Sequence, residues 1–117
     1  MGKTKKKTSA PGYKVRVSVN ALQNIREITG YIAFVQQQPV NALRVGDAID
    51  ETISRIGKTP TAFRELEELR TKTKIYRRAV CLSWSIIFRI QDLNVLVLGI
   101  IHHSSRPSKL KMLRKVV

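Results

Sequence analysis

Three apolar segments follow one another with almost nothing between them: Ile75–Val80 (IYRRAV), Ser83–Ile90 (SWSIIFRI) and Asn94–Ile101 (NVLVLGII). Each is rich in β-branched or aromatic residues, and the QDLN between the last two carries the Asp and Asn of a hairpin turn. The three predict an antiparallel meander, which must bury at least one face against something else.

The segments that supply that cover lie upstream. In YKVRVSV, Tyr13, Val15, Val17 and Val19 alternate with Lys14, Arg16 and Ser18, the period of a half-buried strand. Ser18 or Asn20 can cap the next element, in which Leu22, Ile25, Ile28, Ile32 and Val35 recur at spacings of three and four over about 17 residues. QQQP interrupts that helix. After Pro39 the residues Ala42, Val45, Ile49, Ile53 and Ile56 repeat the pattern up to GKTP. TAFRELEELR is short and polar, one helical turn and an extended lead-in. The expected architecture is therefore α+β: a helical hairpin on one face of a four-stranded, mainly antiparallel sheet, in the order β-α-α-β-β-β.

At 117 residues the chain forms one domain. No apolar stretch approaches the roughly 20 residues needed to span a bilayer; even Val95–Ile101 stops after seven residues. The lysine-rich N-terminus has no long apolar segment behind it, as a secretory signal would. A cytoplasmic protein is expected. Cys81 is the single cysteine, so no internal disulfide forms, and it reads as a small buried hydrophobe.

The net charge of +14 is unevenly placed. Residues 1–12 and 106–117 hold nine of the 22 Lys and Arg and none of the 8 acids, which leaves +5 for residues 13–105. Residues 1–12, rich in Lys, Thr, Ser, Pro and Gly, read as a disordered basic arm. The folded domain is expected over 13–107, with a basic amphipathic tail at 108–117. In that tail Leu110, Met112 or Leu113, and Val116 or Val117 interleave with Lys109, Lys111, Arg114 and Lys115. It either folds back on the sheet as a short helix or orders on a partner. Basic ends of this kind favour a polyanion, whether nucleic acid or an acidic protein.

Several side chains stand out. Arg77 and Arg78 are adjacent on a strand and so point to opposite faces. Trp84 either packs at the sheet edge or stacks on a partner. Arg89, between apolar neighbours, is expected to snorkel or to pair with Glu51 or Asp47 of the second helix. The acidic island ELEELR, Glu65–Arg70, reads as a solvated turn with local Glu–Arg pairing. His102 and His103 make a poor metal site, because adjacent strand residues diverge and no third ligand is evident beyond Cys81. No metal or cofactor is expected. Strict alternation places Val95, Val97, Gly99 and Ile101 on one face and Leu96, Leu98, Ile100 and His102 on the other.

Taken in order, YKVRVSVNALQNIREITGYI, NALRVGDAIDETISRI, ELEELR, YRRAV, IIFRIQDLNVLVLGIIH and a closing RP resemble the RelE/ParE superfamily of toxins from bacterial type II toxin–antitoxin systems. The resemblance covers about residues 13–107, and its strand and helix order is that family's fold. It implies a growth-arresting toxin neutralised by an antitoxin that wraps an acidic and apolar C-terminal segment around it. RelE-like members cut mRNA in the ribosomal A site; ParE-like members, among them plasmid-stabilisation toxins, inhibit DNA gyrase and lack the nuclease residues.

Metal-free RNA cleavage needs a base for the 2′-hydroxyl, cations for the phosphate and an acid for the leaving oxygen. By resemblance the candidates are His102, Arg77 or Arg78, and Arg106. Where many members carry an aromatic followed by Arg, this chain has Trp84 and Ser85; after His102 come His103, Ser104 and Ser105 before Arg106 and Pro107, and no Tyr follows. These departures favour the ParE-like branch, a gyrase inhibitor rather than an enzyme. Trp84, Lys109, Lys111, Arg114 and Lys115 are then the expected target or antitoxin contacts. A ribosome-dependent endoribonuclease is the alternative, and a non-toxic member that keeps only antitoxin binding is a third.

Overall fold

The computed structural model describes residues 12–117, so the expected basic arm lies outside the described residues except for Gly12. Strand β1 (Lys14–Val17) leads into helix α1 (Val19–Gly30), whose last turn widens into π-type pairing over Tyr31–Val35. Helix α2 (Pro39–Lys58) returns antiparallel, started by Pro39 at its first position, where the missing N–H costs nothing. Strand β2 (Arg64–Glu65), β3 (Tyr76–Cys81), β4 (Trp84–Gln91), β5 (Asn94–His102) and helix α3 (Pro107–Met112) complete the chain. The sheet order is β1-β5-β4-β3-β2, with β1 parallel to β5 and every other pair antiparallel. The sheet thus has five strands, one more than expected, because Arg64 and Glu65 of the polar lead-in pair with Arg78 and Arg77.

Both faces of the sheet are covered. On one, the helical hairpin buries Ala21, Val45, Ile49 and Ile56 against Ala79, Ile86, Phe88, Val95, Val97 and Ile100. On the other, Leu110 and Leu113 of the C-terminal segment pack with Leu66 and Leu69 over Ile87, Leu96, Leu98 and Ile101. The tail therefore folds back, and its apolar side chains belong to a second core. Burying two leucines this way stabilises by about 1.5–3 kcal/mol each.

The faces of β5 differ from strict alternation. Ile87 pairs with Gly99 but Phe88 pairs with Val97, so Leu98 is an extra residue, a β-bulge. Beyond it the alternation reverses: Ile100 joins Val95 and Val97 on the helix side, and Ile101 joins Leu96 and Leu98 on the other.

Where β1 ends, α1 takes over the edge of β5. Ser18 Oγ caps the helix by accepting from the Ala21 N–H at 3.0 Å and donates to the Leu98 carbonyl at 3.0 Å. Asn20 Nδ2 donates to the same carbonyl at 2.9 Å, and Asn24 Oδ1 accepts from the Ile100 N–H at 2.9 Å. Gly99 permits this approach: a Cβ there would stand 2.9 Å from Leu113 and 3.0 Å from both Asn20 and Asn24.

Candidate functional site

Two-residue loops join the meander strands, Leu82–Ser83 between β3 and β4 and Asp92–Leu93 between β4 and β5. The first loop meets the end of β5. Trp84 pairs with His102 across the ladder, and their rings stand edge to face at 6.3 Å. The His102 and His103 rings then stack at 4.6 Å, because the chain turns at His103 and the strand alternation no longer separates them.

The hydrogen bonds of the two histidines assign their tautomers. His103 Nδ1 lies 2.7 Å from the Ser83 carbonyl, which only accepts, so that nitrogen carries the proton. The His103 backbone N–H donates to the same carbonyl at 3.0 Å, tying β5 to the β3–β4 loop. His102 Nδ1 faces the Ser104 N–H at 3.3 Å and the Ser104 hydroxyl at 2.7 Å. It is therefore an acceptor, and neutral His102 holds its proton on Nε2. Sequence left open which way His102 faces; it follows Ile100 onto the helix side, beside Trp84.

There it lines a small cleft of about 230 Å³ with Asn24, Glu27, Trp84 and Lys109, continuous in its lining with a larger cleft of about 490 Å³ that adds Tyr31, Gln36, Asn41 and Ser83. Of the candidates named from sequence, the structure brings together Trp84, His102 and Lys109. Glu27 was missed, although Asn24, Glu27, Ile28 and Tyr31 share one face of α1 by helical spacing.

The arginines lie elsewhere. Arg77 is on the helix side of β3, where its Nη1 donates to the Thr61 and Phe63 carbonyls at 3.0 and 2.8 Å and its Nε to the Lys74 carbonyl at 3.1 Å. All three acceptors are backbone, so its role is to fasten the connection after α2. Arg78 is on the opposite face with Tyr76, and its Nη2 donates to the buried Ser85 hydroxyl at 2.7 Å. A cation thus stands over position 85 after all, supplied by the neighbouring strand. Arg106 is exposed at the start of α3. Lys109, Lys111, Arg114 and Lys115 are exposed while Leu110 and Leu113 are buried, the amphipathic split expected of the tail.

Arg89 corrects a sequence expectation. It pairs with Leu96 and Tyr76, both on the face away from the helices, so neither Glu51 nor Asp47 of α2 is its partner. Within ELEELR the expected local pairing is present, Arg70 Nη2 lying 3.4 Å from Glu67 Oε1, but both side chains are largely exposed and the pair is worth only a few tenths of a kcal/mol. Glu65 does more, its carboxylate accepting from the Thr71 N–H at 3.2 Å.

The outer face of the helical hairpin is apolar and uncovered. Val19, Phe34, Val40 and Leu43 are between 70 and 83% exposed. Beside Phe34 and Leu43 runs a groove of about 620 Å³ floored by Gly30, Ala33, Ala42 and Gly46 and edged by Arg26, Asp47 and Asp50. Solitary exposed apolar residues such as Val19 are ordinary, whereas Phe34 and Leu43 flank one groove of small residues, the kind of surface that contacts use. Among the described residues, no three His, Cys, Asp or Glu side chains gather as a metal site, and no helix is long and apolar enough to cross a membrane.

No protein of curated function matches the chain. In structure it is similar to a chain of the chromosomal ParDE toxin–antitoxin system from P. aeruginosa, with a TM-score of 0.63 at 16% identity, over 80% of this chain and 98% of that one. It is also similar to a chain of the toxin–antitoxin complex RelBE2 from Mycobacterium tuberculosis, with a TM-score of 0.56 at 18% identity, over 79% and 99%. At such identities the likeness is one of fold. The model of the family described as ParE toxin of type II toxin–antitoxin system, parDE, matches residues 15–107, which takes in β1, the helical hairpin, the whole meander and the turn to Pro107. The chain belongs to the ParE toxin family of type II toxin–antitoxin systems.

Proposed function

We propose that this toxin arrests growth by inhibiting DNA gyrase and that a cognate antitoxin neutralises it. The observation that carries this reading is the dispersal of the expected nuclease groups. His102 lies on the helix side beside Trp84, Arg77 is spent on backbone carbonyls, and Arg78 is on the far face of the sheet. A single phosphate cannot meet that acid and those cations together, as transition-state stabilisation requires. The exposed cations of the tail, Lys111, Arg114 and Lys115, remain as the contacts for the target, held on a rigid base by Leu110 and Leu113.

The antitoxin docks on the outer face of the helical hairpin. Its apolar side chains fill the groove beside Phe34 and Leu43, and its polar and charged ones meet Arg26, Asp47 and Asp50 at the groove's edge. The protein acts in the cytoplasm, where gyrase and nascent antitoxin are found.

One observation supports an enzymatic second reading: Glu27, His102 and Lys109 line one small cleft beside Trp84, a set with acid, base and cation. Expression in a bacterium, with mRNA ends mapped and the SOS response scored together, tests the two. Gyrase inhibition predicts SOS induction without codon-positioned cuts.

A further inference from the structure

We propose that the sheet face away from the helical hairpin, at the β4–β5 turn end where Lys14, Arg16, Gln91 and Asn94 are exposed, binds the phosphate backbone of a nucleic acid strand. Val15 and Val17 of β1 pack toward the helices, which turns Lys14 and Arg16 to the other face. The register then aligns two rows across three strands. Arg16 pairs with Leu96 and Leu96 with Arg89; Lys14 pairs with Asn94 and Asn94 with Gln91. Together these side chains line a groove of about 420 Å³, with Asp92 of the hairpin turn as its single carboxylate.

Lys14 and Arg16 on β1 and Arg89 on β4, with Leu96 of β5 between the strands, bring three mutually repelling cations to one groove. No described residue forms an ion pair with Lys14, Arg16 or Arg89, and residues 1–11 contain no acid. The rows are two residues apart, about 7 Å along the strand, so Lys14 and Arg16 follow one another along β1 while Arg89 faces Arg16 across Leu96 of β5, three cations around one groove. Guanidinium forks suit phosphate oxygens, and the Gln91 and Asn94 amides add neutral donors. An acidic peptide fits less well, because the apolar residues of the groove, Val95 and Leu96, are 1 and 7% exposed and offer no anchor. Seven of the twelve exposed large apolar side chains among the described residues are on the helical hairpin instead, and Leu93 of the β4–β5 turn, 60% exposed, does not line the groove. A phosphodiester chain needs no such anchor, since its charge alone is repeated along its length.

The site does not depend on whether the target is gyrase or the ribosome, and its test is separate from any assay of toxicity. Binding of the full chain to a labelled single-stranded DNA oligonucleotide, and to its duplex, is measured by fluorescence anisotropy over a range of salt. Arg16→Gln/Arg89→Gln is compared with the tail variant Lys111→Gln/Arg114→Gln, which removes the same charge. The groove pair is expected to weaken binding several-fold more than the tail pair and to lower the salt slope by about two. Single-strand and duplex arms identify which form the groove prefers. Equal losses from both variants would show only general attraction to a cationic protein and overturn the proposal. So would displacement of the strand by polyglutamate at equal charge concentration, which would assign the groove to an acidic protein. Unchanged thermal melting of Arg16→Gln alone, with its weaker binding retained, separates the site from a folding defect.

Discussion

The Arg78 guanidinium donates to the hydroxyl of Ser85 across the β3–β4 ladder at 2.7 Å, and Ser85 is completely buried. Arg78 Nε is buried beside it without a partner. The hydroxyl is thus the principal protein acceptor of a half-buried cation on the face of the sheet that the C-terminal segment covers. Ser85→Ala strands that guanidinium and is expected to cost about 1–3 kcal/mol, read as a lower urea midpoint at an unchanged slope.

Asn24 and Gly99 form one device. Asn24→Ala leaves the Ile100 N–H without its acceptor, again about 1–3 kcal/mol. Gly99→Ala drives a methyl into Leu113, Asn20 and Asn24 and costs a similar amount by overpacking. The double variant is expected to fall short of the sum, because losing Asn24 makes room for the methyl. Chemical denaturation of the four-member cycle measures the coupling.

Leu82 holds φ at 56° in the β3–β4 loop, a left-handed conformation that a branched side chain adopts under strain, and it is 58% exposed. Leu82→Gly releases that strain and is expected to stabilise by a few tenths to 1 kcal/mol, a rise in melting temperature of a few degrees by calorimetry.

The C-terminal segment separates a structural role from a functional one. Leu113→Ala opens the second core and is expected to cost about 2–5 kcal/mol. Lys111→Gln/Arg114→Gln changes exposed side chains and is expected to leave stability within about 0.5 kcal/mol while relieving growth arrest. A melting curve and a colony count on the same two variants check both halves.

Much of this architecture is legible in the sequence because each element carries its own period. The alternation in YKVRVSV, the three-and-four spacing of Leu22, Ile25, Ile28 and Ile32, and the QDLN turn each specify a local structure that packing then preserves. What escapes has tertiary causes. The bulge at Leu98 is marked only by the glycine beside it, Gly99, which signals a bulge or a close approach without saying which, yet it exchanges the faces of Ile100 and Ile101 and so decides where His102 points. Arg89 reads as a residue facing the helices because its neighbours are apolar, but both faces of this sheet are covered and apolar neighbours no longer tell them apart. The two-residue strand Arg64–Glu65 is too short to show a period at all. Of the candidate site, Trp84 and His102 are legible as a strand start and a strand end, whereas Glu27 and Lys109 meet them only through the packing of α1 and the tail.

The most direct test of the proposed function is a supercoiling assay with purified gyrase and this chain, run beside a ribosome-dependent mRNA cleavage assay with the same preparation and with His102→Ala. Gyrase inhibition by both the native chain and His102→Ala, with intact mRNA, is the predicted result. Codon-positioned mRNA cuts that disappear in His102→Ala, with supercoiling unaffected, would contradict it.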